Sequence, residues 1–154
     1  MISPRTLCFL HRGRQVLLLH RRHAPNAGTW NGIGGKLEAG EDPFTGCIRE
    51  VKEETGLTIA DPRMRALLVI TAKATGDLWV IYVFTAPAPE GTLVPSPEGD
   101  LHWVDAAQVS SLHTPADLPV ILPRILDGGD VTVARIDYAT EDAADPLKVE
   151  ILGA

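Results

Sequence analysis

Short apolar runs separated by turn residues set the rhythm of this chain. Residues 6–10 and 15–20, TLCFL and QVLLLH, predict two strands joined by a tight turn at Arg12-Gly13-Arg14. The stretch 22–35 is rich in Gly, Asn and Pro and predicts a loop. Residues 65–72 and 78–86 predict a hairpin pair with Gly76-Asp77 at its turn, followed by a connection over 86–100 that holds four prolines. A short strand at 101–104 comes next, then helices at 106–112 and 117–126, the second started or interrupted by Pro119 and Pro123. Residues 131–138 and 147–152 predict a final hairpin, and no internal repeat is present.

One segment carries a helical period. With Pro43 in the first turn and Gly56 as the stop, the residues between form a helix of about three and a half turns. Offsets of three and four bring Arg49, Glu50, Glu53 and Glu54 to one side, with Phe44, Cys47, Ile48, Val51 and Thr55 on the adjoining arc. Like charges such as Glu50 and Glu54 destabilise a helix by ~0.2–0.5 kcal/mol unless something positive lies between them. A hard divalent cation would meet that need.

At 154 residues and 45% hydrophobic, the chain is expected to form one compact enzyme domain over 1–154. Cys8 and Cys47 read as small core residues of a reducing compartment. The sequence has no run of 18 apolar residues and no leader-like start, so the expectation is a cytoplasmic protein without a membrane partner. The net charge of -6 hides an asymmetry. Residues 1–37 hold no acid but carry Arg5, Arg12, Arg14, Arg21, Arg22 and Lys36, which leaves eight cations against all 20 acids, a net -12, in the rest. A basic first third facing an acidic middle suits a polyphosphate better than a nucleic-acid polymer, which an acidic chain would repel.

The segment 35–57, GKLEAGEDPFTGCIREVKEETGL, fits G-x5-E-x7-R-E-U-x-E-E-x-G-U (U apolar) through Gly35, Glu41, Arg49, Glu50, Val51, Glu53, Glu54, Gly56 and Leu57. On this signature the chain resembles the Nudix hydrolases. The resemblance implies an α/β/α sandwich around a mixed β-sheet, and a loop-helix-loop that binds Mg²⁺, with Mn²⁺ as a substitute. It also implies hydrolysis of a nucleoside diphosphate linked to another group. Mg²⁺ takes oxygen ligands, usually a few carboxylates plus substrate phosphates. Glu50, Glu53 and Glu54 are the expected ligands, with the Gly34 carbonyl completing the shell and Arg49 orienting the glutamates. Glu53 is the first choice as general base, with Glu54 and Glu98 left open. Gly35 and Lys36 are expected beside the phosphates.

The stretch 30–41, WNGIGGKLEAGE, is similar to the MutT-related, mammalian-type 8-oxo-dGTP diphosphatases, and the match runs from about residue 6 to about residue 123. This likeness implies that Asn31 hydrogen-bonds the purine, that Thr6 and Arg21 line the pocket, and that Glu98 is an extra metal-binding or water-activating glutamate. There are departures. Of two successive base-reading acids and a preceding tryptophan only Asp117 matches, Leu118 and Pro115 standing at the other positions. Two pocket aromatics become Ile70 and Ala72, and Trp79 replaces a methionine where it can stack on a base. Base selectivity is therefore the least determined property, and another nucleoside diphosphate derivative or a non-catalytic nucleotide sensor are the competing expectations. Either a monomer or a homodimer suits the sequence.

Overall fold

The computed structural model describes residues 1–23 and 27–153, so residues 24–26 of the expected loop lie outside the described residues. Strands β1 (Ile2–Arg12), β2 (Gln15–Arg21), β3 (Trp30–Asn31) and β4 (Ile33–Lys36) precede helix α1 (Pro43–Thr55). Strands β5 (Arg63–Ala72), β6 (Asp77–Pro87) and β7 (Gly99–Asp105) follow, then a 3₁₀ segment at Ala106–Ser111, helix α2 (Leu118–Leu126), and strands β8 (Thr132–Tyr138) and β9 (Lys148–Gly153). Among the described residues the strands form one mixed sheet in the order β3-β2-β1-β6-β5-β8-β9, with β4 added to β1 and β7 to β2.

Alternation along β1 and β2 builds two core layers, because successive side chains leave a strand on opposite faces. Cys8, Leu10, Leu17, Leu19 and Ile33 pack with Cys47 and Val51 of α1. Phe9, Val16, Leu18, Leu68 and Val83 pack with Leu118, Ile121, Leu122 and Ile125 of α2. Each large apolar side chain so buried contributes ~1.5–3 kcal/mol. A mixed sheet with a helix on each face is the α/β/α sandwich that the resemblance implied.

Helix α1 is bounded as its sequence predicts. The Asp42 side chain accepts from the Thr45 amide at 2.9 Å, and Gly56 takes φ 81° while its N–H bonds the Lys52 carbonyl. Phe44 departs from the expected apolar arc. It is 46% exposed and meets Phe84 edge-on, with ring centroids 5.1 Å apart.

Three other expectations change. The predicted loop at 22–35 contains β3 and most of β4, because the Gly-rich chain pairs with β2 at Trp30–Asn31 and lies flat against β1 from Ile33; a Cβ on Gly34 would overlap the Thr6 carbonyl. Such a run has no side-chain period to betray a strand. The stretch 106–112 is 3₁₀ rather than α-helical, capped by Asp105 bonding the Ala107 amide. Finally, β1 and β2 are paired only at His11 and Arg12. Beyond the turn they part, β1 joining β4 and β6 while β2 joins β3 and β7. The gap between them, at the end of the sheet that carries the site, is filled by β3 and β4.

Candidate active site

The acidic side of α1 is organised by Arg49. Its Nε and Nη2 form a two-pronged pair with the Glu41 carboxylate at 2.7 and 2.8 Å, and Nη1 reaches Glu50 at 3.1 Å and Glu53 at 3.2 Å. Nη2 also donates to the Lys36 carbonyl at 3.1 Å, tying the helix to the end of β4. A guanidinium thus stands between Glu50 and Glu53, while Glu54, the other member of the like-charged pair, has no bond from Arg49 and accepts from Ser96. Hydrogen bonds from Arg49 and from the Glu38 amide hold Glu41 down to about 2, well below the carboxylate range. Those same bonds, Glu41 foremost, raise Arg49 above its ordinary value. Glu50 goes the other way: burial raises it, against the opposing hydrogen bond from Arg49.

Glu54 faces a second partner. Its Oε2 accepts from the Ser96 hydroxyl at 2.6 Å, and the same Oγ accepts from the Glu98 amide at 3.1 Å. Burial raises the Glu54 pKa, the Ser96 bond works against this, and the charges of Glu98 and Glu50 add to the rise. The Glu98 carboxylate meets Arg21 Nη2 at 3.2 Å. Helix and Pro-rich loop, distant in sequence, therefore bring Glu50, Glu54, Glu98 and Arg21 within electrostatic reach of one another. Among the described residues no three His, Cys, Asp or Glu side chains stand at metal-binding spacing, for Glu53 turns to Arg49 and Glu54 to Ser96.

The donor set nonetheless fits a hard cation. Two carboxylates withdrawn from water sit at its centre, and burial has made both of them harder to ionise. Beside them Gly35 keeps a space that a Cβ would fill by running into the Glu50 carboxylate. Glu53, with 55% of its side chain exposed, completes the trio. The neighbouring Gly34 is in β4, paired with Leu7.

The expected nucleotide contacts gather at one end of the sheet but divide between its faces. Cross-strand pairing aligns Thr6 with Gly35, and Asn31 with Leu19, on the face packed by α1. Trp79 pairs with Ile70 on the α2 face, where the Tyr138 hydroxyl lies 3.4 Å from Asp117 Oδ1. Thr6 and Asn31 thus lie on one face, Trp79 and Asp117 on the other. Alternation forces the split, since Thr6 pairs with Tyr82, three positions from Trp79, and an odd offset along a strand changes face. Asn31 Oδ1 accepts from the Gly32 amide at 2.8 Å, the Thr6 hydroxyl is buried without a partner, and Lys36 is exposed. Arg5 and Arg21 sense each other's charge across the gap, and burial lowers the Arg5 pKa.

Two participants escaped the sequence. Ser96 had a local signal, a serine two residues before a loop glutamate, which is the spacing of a side-chain-to-backbone turn. Tyr138 had none, since parallel pairing of β8 with β5 is what sets it opposite Ala72.

Burial holds the Asp117 carboxyl above its ordinary range and pushes Tyr138 up to about 12. The folded chain therefore binds the Asp117 proton more tightly than the unfolded chain does. Stability from this group is full below the unfolded pKa of about 4 and is lost as pH rises towards the folded value. Asp117→Asn has no proton to lose, so its stability relative to the parent is expected to improve between pH 4 and pH 7. Urea unfolding at the two pH values checks this; an unchanged difference would contradict it.

Known proteins share these features. The NUDIX domain family model matches residues 1–125. Nudix hydrolase YvcI of Bacillus subtilis (strain 168), itself uncharacterized, is 34% identical over 140 residues, covering 88% of this chain and 87% of that protein. The oxidized purine nucleoside triphosphate hydrolase of Mus musculus is 30% identical over 104 residues, 68% of this chain and 67% of its own. The crystal structure of a MutT protein from Bacillus halodurans superposes with a TM-score of 0.86 at 30% identity, covering 97% of each chain. With the signature on a capped helix, the sandwich around it and these likenesses in agreement, the chain belongs to the Nudix family and is a Nudix hydrolase.

Proposed function

We propose that the protein hydrolyses an oxidised purine nucleoside triphosphate such as 8-oxo-dGTP to the monophosphate and pyrophosphate, with Mg²⁺ as cofactor. The observation that carries this is the cluster of Glu50, Glu54, Glu98 and Arg21 beside α1, with a buried Asp117 and the Tyr138 hydroxyl 3.4 Å from it on the other face of the same sheet. In this reading the phosphates lie at the carboxylates beside α1 and the base is read by Asn31 and Asp117.

Glu50, Glu53, Glu54 and Glu98, with the Gly34 carbonyl, would hold the metal. Bound Mg²⁺ supplies neutralisation of the phosphate oxygens and lowers the pKa of a water molecule. The protein's own groups do the rest. Arg49 fixes Glu50 and Glu53 in orientation, and Glu53, solvent-facing and tethered by a single 3.2 Å bond, accepts the proton of the attacking water. Arg21, Arg5 and Lys36 offset the charge of the phosphate chain, whose displaced end leaves as pyrophosphate. At the base, an oxidised purine carries an N–H and a carbonyl where the ordinary purine shows a bare N7 acceptor. Burial favours the protonated form of Asp117, which would offer both a donor and an acceptor to that edge. The mouse relative's name, an oxidized purine nucleoside triphosphate hydrolase, supports the same substrate class.

The test is a substrate screen. Purified protein with Mg²⁺ is given 8-oxo-dGTP, dGTP, GTP, ADP-ribose and a diadenosine polyphosphate, and pyrophosphate, phosphate and nucleotide products are measured. Turnover of 8-oxo-dGTP at least about tenfold above dGTP in kcat/KM, abolished by EDTA and restored by Mg²⁺, is the expected result. Preference for ADP-ribose or the dinucleotide would replace the substrate while keeping the hydrolase.

A further inference from the structure

Ser96 takes part in two contacts that the chemistry above does not require, and both involve acidic residues of the site. Its hydroxyl donates to Glu54 Oε2 at 2.6 Å and accepts from the Glu98 amide at 3.1 Å, so one oxygen links α1 to a loop 42 residues away. It is 2% exposed, so water does not compete for either bond. The backbone around it has little freedom to compensate. Pro95 and Pro97 flank it, each fixing its own φ and holding the preceding residue extended. Its carbonyl is taken by Arg22 Nη2 at 3.0 Å, and the Arg22 amide bonds the Glu98 carbonyl at 3.2 Å. Upstream, the Val94 amide bonds the Thr55 carbonyl at the end of α1.

We infer that Ser96 is a positioning residue, a latch that sets the helix carboxylate Glu54 and the loop carboxylate Glu98 at one fixed separation, so that the two act as a unit towards the metal. The latch rests on the hydrolase reading only for its consequence, since its two hydrogen bonds are made between this chain's own atoms. Without the hydroxyl, Glu54 loses its donor and the Glu98 amide its acceptor, and the Pro-rich loop keeps its links through Arg22, Val94 and the Arg21–Glu98 pair. Supports of this kind, one step removed from a metal, typically change affinity or activity by about 10–100-fold when removed.

The experiment uses the full chain. Amide exchange by NMR without metal, Mn²⁺ titration followed by EPR, and kcat/KM are measured for the parent, Ser96→Ala, Ser96→Thr, Glu98→Gln and the Ser96→Ala/Glu98→Gln double variant. In Ser96→Ala the Glu98 amide is expected to exchange at least about tenfold faster, and Mn²⁺ affinity to fall about tenfold. Ser96→Thr, which keeps the hydroxyl, should stay within about threefold of the parent. The double variant should lose little beyond Glu98→Gln alone, because the two residues work through one coupling. Unchanged protection of the Glu98 amide in Ser96→Ala overturns the latch. So does Ser96→Thr failing as badly as Ser96→Ala while both remain folded, which would point to packing instead of the hydroxyl. Faster exchange in Ser96→Ala, with no Mn²⁺ binding by the parent, would sink the metal reading and leave the latch standing.

Discussion

Glu53→Gln and Glu54→Gln are each expected to lower nucleotide hydrolysis by about two to four orders of magnitude while leaving the protein folded. Glutamine matches the size of glutamate and keeps one oxygen acceptor, but it carries no charge to hold a cation and cannot take a proton. The structure makes folding a weak objection. Glu53 has 55% of its side chain in solvent and only one bond to lose, that from Arg49. Glu54 is buried, and burial already disfavours its charge, so a neutral amide that still accepts from Ser96 costs little stability. Mn²⁺ binding separates the two roles. A general base can lose turnover with metal affinity kept, whereas a ligand loses both. Weaker Mn²⁺ binding in both variants, with the deeper loss of turnover in Glu53→Gln, would fit the proposed roles; near-normal pyrophosphate release from both, with unchanged circular dichroism, would remove the pair from the mechanism.

The parts of this molecule that could be read in advance are those whose cause is local. Asp42, Pro43 and Gly56 bound α1 through short-range capping chemistry, and a four-residue offset puts Arg49 beside Glu53, with Glu50 its chain neighbour, whatever surrounds them. The principal partner of Arg49 is another matter. Glu41 reaches it only because the chain folds back from β4, eight residues ahead, and no helical period encodes that return. The Gly-rich stretch hides β3 and β4 for a related reason: their strand character comes from β2 and β1 alongside, not from their own side chains. Pairing parity then explains why the likeness to the sanitisers named Thr6, Asn31, Trp79 and Asp117 together but left open which sheet face each occupies. That depends on register, which an ungapped match does not contain. Ser96 and Tyr138 mark the two extremes, one with a turn pattern beside it and the other joined to the site only by long-range strand pairing.

Arg49→Ala is expected to damage stability and activity together, and Arg49→Lys to separate them. The guanidinium serves three carboxylates and a backbone carbonyl at once, with 21% of the side chain exposed. Alanine leaves Glu41, Glu50 and Glu53 facing one another without a cation, and Glu50, whose burial already raises its pKa, loses the hydrogen bond that opposes the rise. Lysine restores the charge but is a point donor, unable to form the two-pronged pair with Glu41 while reaching Glu50 and Glu53. Activity should therefore fall about 10–100-fold in both variants, as when the support of a metal ligand is removed, with stability partly recovered in Arg49→Lys. Acid provides a sharper test. In the parent Glu41 is held at about 2, so the unfolded chain binds its proton first as pH falls. The stability from this pair is present above the unfolded carboxylate pKa, about 4.3, and disappears as pH drops through about 2. The gap in unfolding free energy between the parent and Arg49→Ala should accordingly be widest near neutrality and shrink between pH 4 and pH 2. Urea titrations across that window read it directly, and a gap that stays constant would show that Arg49 acts by packing its methylenes, not by binding Glu41.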